Sequence, residues 1–243
     1  MSAKRILVLS LLLLLKAGSA AAQSNEPDGE VQDGAWMSYR EAYKLMIRFE
    51  KYGKPKQFIQ SHLQVVPRDK SVPMDGVRMT LIGRSAQLDI ALDAAGRAVF
   101  PLQKSAYDDN ARLVLVLNRK IGMYTFQPRI SIAPRADGVY EATDLRIACE
   151  QVLTYLRYIG DSAVRDKKCA GVIFSYAKNA PDPVVRFRGV DHAQSRMRVE
   201  EGGAFHDDTT MTFKTVAYHF ADWPERGQIV TQTAPVAIGA MLK

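Results

Sequence analysis

Residues 87–102 read Gln-Leu-Asp-Ile-Ala-Leu-Asp-Ala-Ala-Gly-Arg-Ala-Val-Phe-Pro-Leu, and this stretch decides the fold class. Leu88, Ile90 and Leu92 alternate with Gln87, Asp89 and Ala91, the two-residue period of a half-buried strand. Asp93-Ala94-Ala95-Gly96 then forms a turn, because Gly96 can take the positive φ that a short connection requires. Arg97 to Leu102 leads back as a second strand, so the stretch predicts a β-hairpin.

The same period extends on both sides. Leu63, Val65 and Pro67 alternate with polar residues, as do Val77, Met79 and Leu81 before Gly83. Tyr107-Asp108-Asp109-Asn110 reads as a turn, and Arg112 to Asn118 as a Leu- and Val-rich strand buried on both faces. Tyr124 to Ala133 is another extended run. Pro128 inside it predicts an edge strand or a bulge, since proline cannot donate to a ladder. Further strands are predicted at Val172–Tyr176, Val184–Arg188, Arg196–Val199, Thr209–Phe220 and Gln228–Ile238.

Two helices interrupt this pattern. Over 35–52, Trp36, Tyr39, Tyr43, Met46, Ile47 and Glu50 fall near one face, while Arg40, Lys44, Arg48 and Lys51 repeat every four residues on another. Over 144–159, Leu145, Cys149, Val152, Leu153 and Leu156 form an apolar stripe, with Thr143 or Asp144 as cap and Gly160-Asp161 as terminator. The expectation is an α+β fold, with a mainly antiparallel β-sandwich-like core and two packed helices. Residues 36–243 would form one such domain, with 134–143 as the alternative boundary between two subdomains.

The first residues predict the compartment. Lys4 and Arg5 precede an apolar run from Ile6 to Leu15, and small residues follow from Ala17 to Ala22. This is the order of a cleaved secretory signal over 1–22, cut after Ala22 or, alternatively, after Ala20. The run is about half the ~20 apolar residues of a spanning helix. Residues 23–35 are polar and acidic and read as a flexible mature N-terminus. The expectation is a periplasmic or secreted protein with no membrane span after cleavage. Loss of Lys4, Arg5 and Lys16 leaves 30 basic against 26 acidic residues, so the net charge falls from +7 to +4. That balance argues for solubility and gives no case for nucleic-acid binding.

Cys149 and Cys169 are the only two cysteines. In an oxidising compartment they predict a disulfide pinning the basic loop Arg165–Lys168 onto the second helix. Closing a loop of about 20 residues would stabilise the fold by roughly 3 kcal/mol in the chain-entropy model.

No nucleophile elbow, zincin motif or phosphate loop is present, and no cofactor is expected. Two clusters remain. Arg186 and Arg188 are two residues apart, as are Arg196 and Arg198, so each pair would project from one strand face. Paired strands would gather four guanidiniums, a surface suited to carboxylate or phosphate and hence to an anionic envelope ligand. The bland reading is a solvated face neutralised by Glu200, Glu201 and other acids. His206, Asp207 and Asp208 form a weak candidate metal cluster, with an ordinary polar turn as its alternative. The functional expectation is a non-enzymatic binding or envelope-associated module that takes such a ligand or a protein partner. The alternative is a hydrolase acting on cell-envelope glycans through an unrecognised carboxylate pair.

Residues 77–118 carry V-R-M-T-L-I-G, then A-Q-L-D-I-A-L-D-A-A-G-R-A-V-F-P-L, then D-D-N-A-R-L-V-L-V-L-N-R-K. Their order of strand, D-x-x-G turn and F-P-L strand resembles β-sandwich modules of the prealbumin or carboxypeptidase-regulatory type. That resemblance implies an accessory or binding role. The chain as a whole also resembles secreted proteobacterial proteins with no assigned activity, which implies a location and transfers no functional residue.

Overall fold

The computed structural model describes residues 36–84, 87–116 and 124–243. The expected signal over 1–22, the N-terminal stretch 23–35 and the end of the strand expected to reach Asn118 lie outside the described residues. The described chain is mostly antiparallel β-structure with helices packed on it. Its strands are β1 (Trp36–Ser38), β2 (Ile59–Pro67), β3 (Arg78–Ile82), β4 (Gln87–Ile90), β5 (Arg97–Ala98), β6 (Arg112–Val116), β7 (Tyr124–Ile132) and β8 (Val139–Glu141). They continue with β9 (Cys169–Tyr176), β10 (Val185–Arg188), β11 (Gln194–Arg196), β12 (Glu200–Gly202), β13 (Phe213–His219), β14 (Gln228–Thr231) and β15 (Ala237–Leu242). The helices are α1 (Tyr39–Glu50), α2 (Lys104–Asp108) and α3 (Ala142–Tyr158), with a 3₁₀ turn at Ser162–Val164. None is long and apolar enough to cross a membrane.

The strands form sheets in the orders β1-β6-β3-β4, β5-β2-β7, β11-β10-β14-β8 and β12-β13-β9-β15. Two large apolar clusters fill the interior, with a smaller third around Ala204, Phe205 and Phe213. In the first, Tyr39, Ala42 and Met46 of α1 meet Leu63 and Val65 of β2, Met79 and Leu81 of β3, and Leu113 of β6. In the second, Leu145, Cys149, Val152 and Tyr155 of α3 pack on Val172 and Phe174 of β9, Val216 and Tyr218 of β13, and Ile130 and Ile132 of β7.

The stretch 87–102 folds differently from the expected hairpin. Its turn is present: Gly96 has φ +69°, and the amides of Gly96 and Asp93 bond across it at 2.9 Å each. The flanking strands part company, however. β4 pairs with β3 and β5 pairs with β2, so the turn carries the chain from one sheet to another. A Cβ on Gly96 would lie 2.4 Å from the Val65 carbonyl oxygen, and its own carbonyl accepts from Val65 N–H at 2.8 Å. Docking onto β2 is what diverts the return strand. Phe100-Pro101-Leu102 is not strand, and Tyr107-Asp108 closes α2 rather than a simple turn.

α1 is shorter than expected. Residues 36–38 pair with β6 as β1, leaving Trp36 55% exposed. The buried face is Tyr39, Ala42, Met46 and Phe49, while Arg40, Lys44, Arg48 and Lys51 are exposed. Lys56 Nζ closes the helix end by donating to the carbonyls of Phe49 (2.5 Å) and Glu50 (3.1 Å). α3 begins at Ala142, and Glu141 stands at its cap without a side-chain bond to the helix's amides, so neither Thr143 nor Asp144 caps it. Gly160 ends it at φ +82°: its amide bonds to Arg157 (3.1 Å) and that of Asp161 to Leu156 (3.0 Å), a Schellman closure. Cys149 and Cys169 are bonded across 20 residues, with Cα atoms 5.9 Å apart, joining α3 to the first residue of β9. β7 lies at the edge of its sheet, the position that Pro128 favours.

Candidate functional site

The Val185–Arg196 hairpin places three of the four candidate arginines together. β10 and β11 pair with Arg186 opposite Arg196 and Arg188 opposite Gln194. Directly opposed residues share a face, and residues two apart on a strand do too, so Arg186, Arg188 and Arg196 lie on one side of the sheet. Val185 and Phe187 take the other side and are buried in the second apolar cluster. Gly189-Val190-Asp191-His192-Ala193 closes the hairpin: Gly189 and Ala193 bond at 2.9 Å, and Asp191 Oδ1 accepts from Ala193 N–H at 3.1 Å. Arg198 lies two residues beyond β11 and faces Glu200 at 3.4 Å, both side chains being well exposed.

The compensation of this arginine face is uneven. Arg188 donates to Gln228 Oε1, and Gln228 passes its own amide to Glu141 at 2.5 Å. Arg196 acts on Asp182, whose carboxyl is held below its ordinary value first by a hydrogen bond from Lys214 and then by the Lys214 and Arg196 charges. Glu201 is engaged elsewhere, 3.8 Å from Lys178. Arg186 has no carboxylate partner among the described residues, although it sits directly across from another arginine.

The weak metal candidates occupy a different place. Phe205-His206-Asp207-Asp208 lies over the polar face of the β5-β2-β7 sheet. The register puts Gln60 opposite Ser131, His62 opposite Arg129, and Gln64 opposite both Gln127 and Arg97. These side chains form one layer. Gln64 Oε1 accepts from Arg129 Nε at 2.6 Å and from Gln127 Nε2 at 3.1 Å, while its amide donates to the Ala95 carbonyl. Arg97 bonds Asp93 (2.9 Å), Ser131 (3.0 Å) and the Val236 carbonyl. Arg129 meets Asp207 at 2.6 Å and Asp208 at 3.4 Å. The Phe205 ring lies against both guanidiniums, 4.5 Å from Arg129 and 5.8 Å from Arg97.

The two carboxyls diverge because their surroundings differ. Burial opposes ionisation of Asp207, yet the Arg129 hydrogen bond and charge outweigh it and hold the group below its ordinary value. Burial dominates at Asp208, which is raised although Arg129 attracts its charged form, and its Oδ2 has no hydrogen-bond partner. His62 is lowered by burial and by the Arg97 charge, and its Nδ1 is likewise unpartnered. Among the described residues no three His, Cys, Asp or Glu side chains converge as a metal site. The arrangement ties the 203–208 segment onto the sheet.

Arg97, Arg129 and Gln64 were not singled out from the sequence, but a signal existed. Gln60, His62 and Gln64 alternate along β2, and Gln127, Arg129 and Ser131 alternate along β7. Polar residues at period two on two paired strands mark a polar sheet face.

Comparison with known proteins finds no family model that matches the chain, no similar curated protein and no matching solved structure.

Proposed function

We propose that this chain is an exported, non-enzymatic binding module whose β10–β11 face takes an anionic ligand of the cell envelope. The carrying observation is the direct opposition of Arg186 and Arg196, with Arg188 on the same face. Like charges placed opposite each other destabilise a sheet, and a bound carboxylate or phosphate relieves that cost while matching the planar guanidinium fork. Arg198, engaged with Glu200, is outside this group. The Cys149–Cys169 bond supports an oxidising compartment. Burial of one apolar cluster by Leu63 and Val65 on β2 and by Met79 and Leu81 on β3 supports the sandwich-like reading of the N-terminal half.

Co-sedimentation with purified phosphate-bearing and carboxylate-bearing envelope polymers tests the proposal. Wild-type protein should sediment with one of them at low salt and be released as salt rises, because exposed charges are screened beyond about 10 Å at 0.1 M. The Arg186→Gln/Arg196→Gln variant should remain in solution. Equal sedimentation of the folded variant and the wild type overturns the proposal.

A further inference from the structure

A pocket of about 290 Å³ opens where β7, β15, the end of α3 and the 205–207 segment meet. β7 and β15 are edge strands of different sheets, so no ladder closes the space between them. Its wall is apolar, formed by Ile130 of β7, Val152, Leu156 and Ile159 at α3, Phe205, and Ala240 of β15. Its polar groups are Gln127, Arg129, Asp161, His206 and Asp207. Arg129 is the one lysine or arginine lining it, and that charge already stands between Asp207 and Asp208.

Two aspartates line the pocket, and each carboxylate has acceptor capacity to spare. Arg129 bonds Oδ1 of Asp207, and the Ala163 amide bonds Oδ1 of Asp161 at 2.9 Å. The second oxygen of each has no side-chain donor among the described residues. We infer that this pocket binds a small organic monocation, an amine or guanidinium on a short hydrocarbon. The charged head lies between Asp161 and Asp207, and the hydrocarbon rests on Leu156, Ile159 and Ala240. The volume is at the lower end for ligand sites, which limits the occupant to a small molecule. The excess of carboxylate over guanidinium selects against anions, which would meet Asp161 and Asp207 with Arg129 already paired and the His206 ring turned to Asp207 at 3.9 Å. The site shares no residue with the arginine face and stands or falls apart from it.

Calorimetric titration of the full chain with pentylamine, pentanol and pentanoate compares one hydrocarbon length at three charges. Pentylamine should bind saturably and at least tenfold more tightly than either other probe. Asp161→Asn keeps a side chain able to cap the 3₁₀ turn, so it retains the fold. It should weaken pentylamine at least fivefold, and Asp207→Asn should do the same if its melting curve stays cooperative. Glu225→Gln, at an exposed position, should leave binding unchanged. No saturable binding of pentylamine, equal binding of pentanoate, or unaltered affinity in Asp161→Asn overturns the assignment.

Discussion

At the residue scale, Arg129 is a buried charge whose loss should be costly. Its side chain is 9% exposed and meets Gln64, Asp207 and Asp208, with Asp208 only 3% exposed. Removal of one partner from a buried ion pair leaves an uncompensated charge, at a cost of about 3–5 kcal/mol. Arg129→Leu should therefore lower unfolding stability by at most that amount in urea denaturation, since Asp207, its closer partner, is 46% exposed. Asp208→Asn should cost clearly less, because burial already disfavours its ionised form. Equal losses in the two variants would contradict the account of Asp208 as the weaker pole. Asp207 and Asp208 stood out in the sequence, but their pairing with Arg129 did not. Arg129 and Asp207 are 78 positions apart, and only the β2–β7 register and the docking of 203–208 bring them together.

At the element scale, helix C-termini and the presence of two long helices were legible because their causes are local, whereas the helix starts and several strand limits were not. Gly160 and the apolar stripe of α3 define a helix from neighbouring residues, and Pro128 marks an edge by lacking an N–H. Strand partners were not legible. The turn at Asp93–Gly96 has all the local chemistry of a hairpin, yet its strands belong to different sheets because Gly96 lies tight against the β2 backbone. α2 was hidden by its length, five residues without an apolar stripe. The disulfide is the one long-range link between elements that was readable, since two cysteines allow one pairing. Its removal in Cys149→Ala/Cys169→Ala should cost roughly 3 kcal/mol. Trypsin should then cut first at Arg165, Lys167 or Lys168, all exposed in the loop the bond closes. Unchanged stability and an unchanged first cleavage site would show that the loop is held by other contacts.

At the scale of the whole molecule, the polar layer couples stability to pH. His62 is held below its ordinary value of 6.5 by burial and by the Arg97 charge, with Asp93 opposing. The unfolded chain therefore binds the His62 proton more readily than the folded one, so stability falls as pH drops below about 6.5. Asp207, held low, adds a loss at more acidic pH as the folded carboxylate is protonated. Asp208, held high, acts in the opposite sense there, because its folded form takes up a proton first. Thermal melts between pH 7.5 and 5.5 should show a falling midpoint in the wild type and a flatter profile in His62→Gln. Parallel profiles would place the titrating group elsewhere. The arginine face belongs to this scale as well, since a ligand bound to the folded state alone stabilises the entire chain by an amount that grows with the logarithm of its concentration over Kd. Residues 186–198 showed the alternation that groups arginines two by two, but the sequence did not reveal that Arg186 would face Arg196 while Arg198 passed beyond the hairpin to Glu200. The most direct measurement is a calorimetric titration of tripolyphosphate into the wild type and into Arg186→Gln/Arg196→Gln at low salt. The account predicts saturable binding by the wild type, weakened at least tenfold in the variant and by added salt. Equal affinity in the two proteins, or no binding by either of tripolyphosphate or a polycarboxylate, would contradict it.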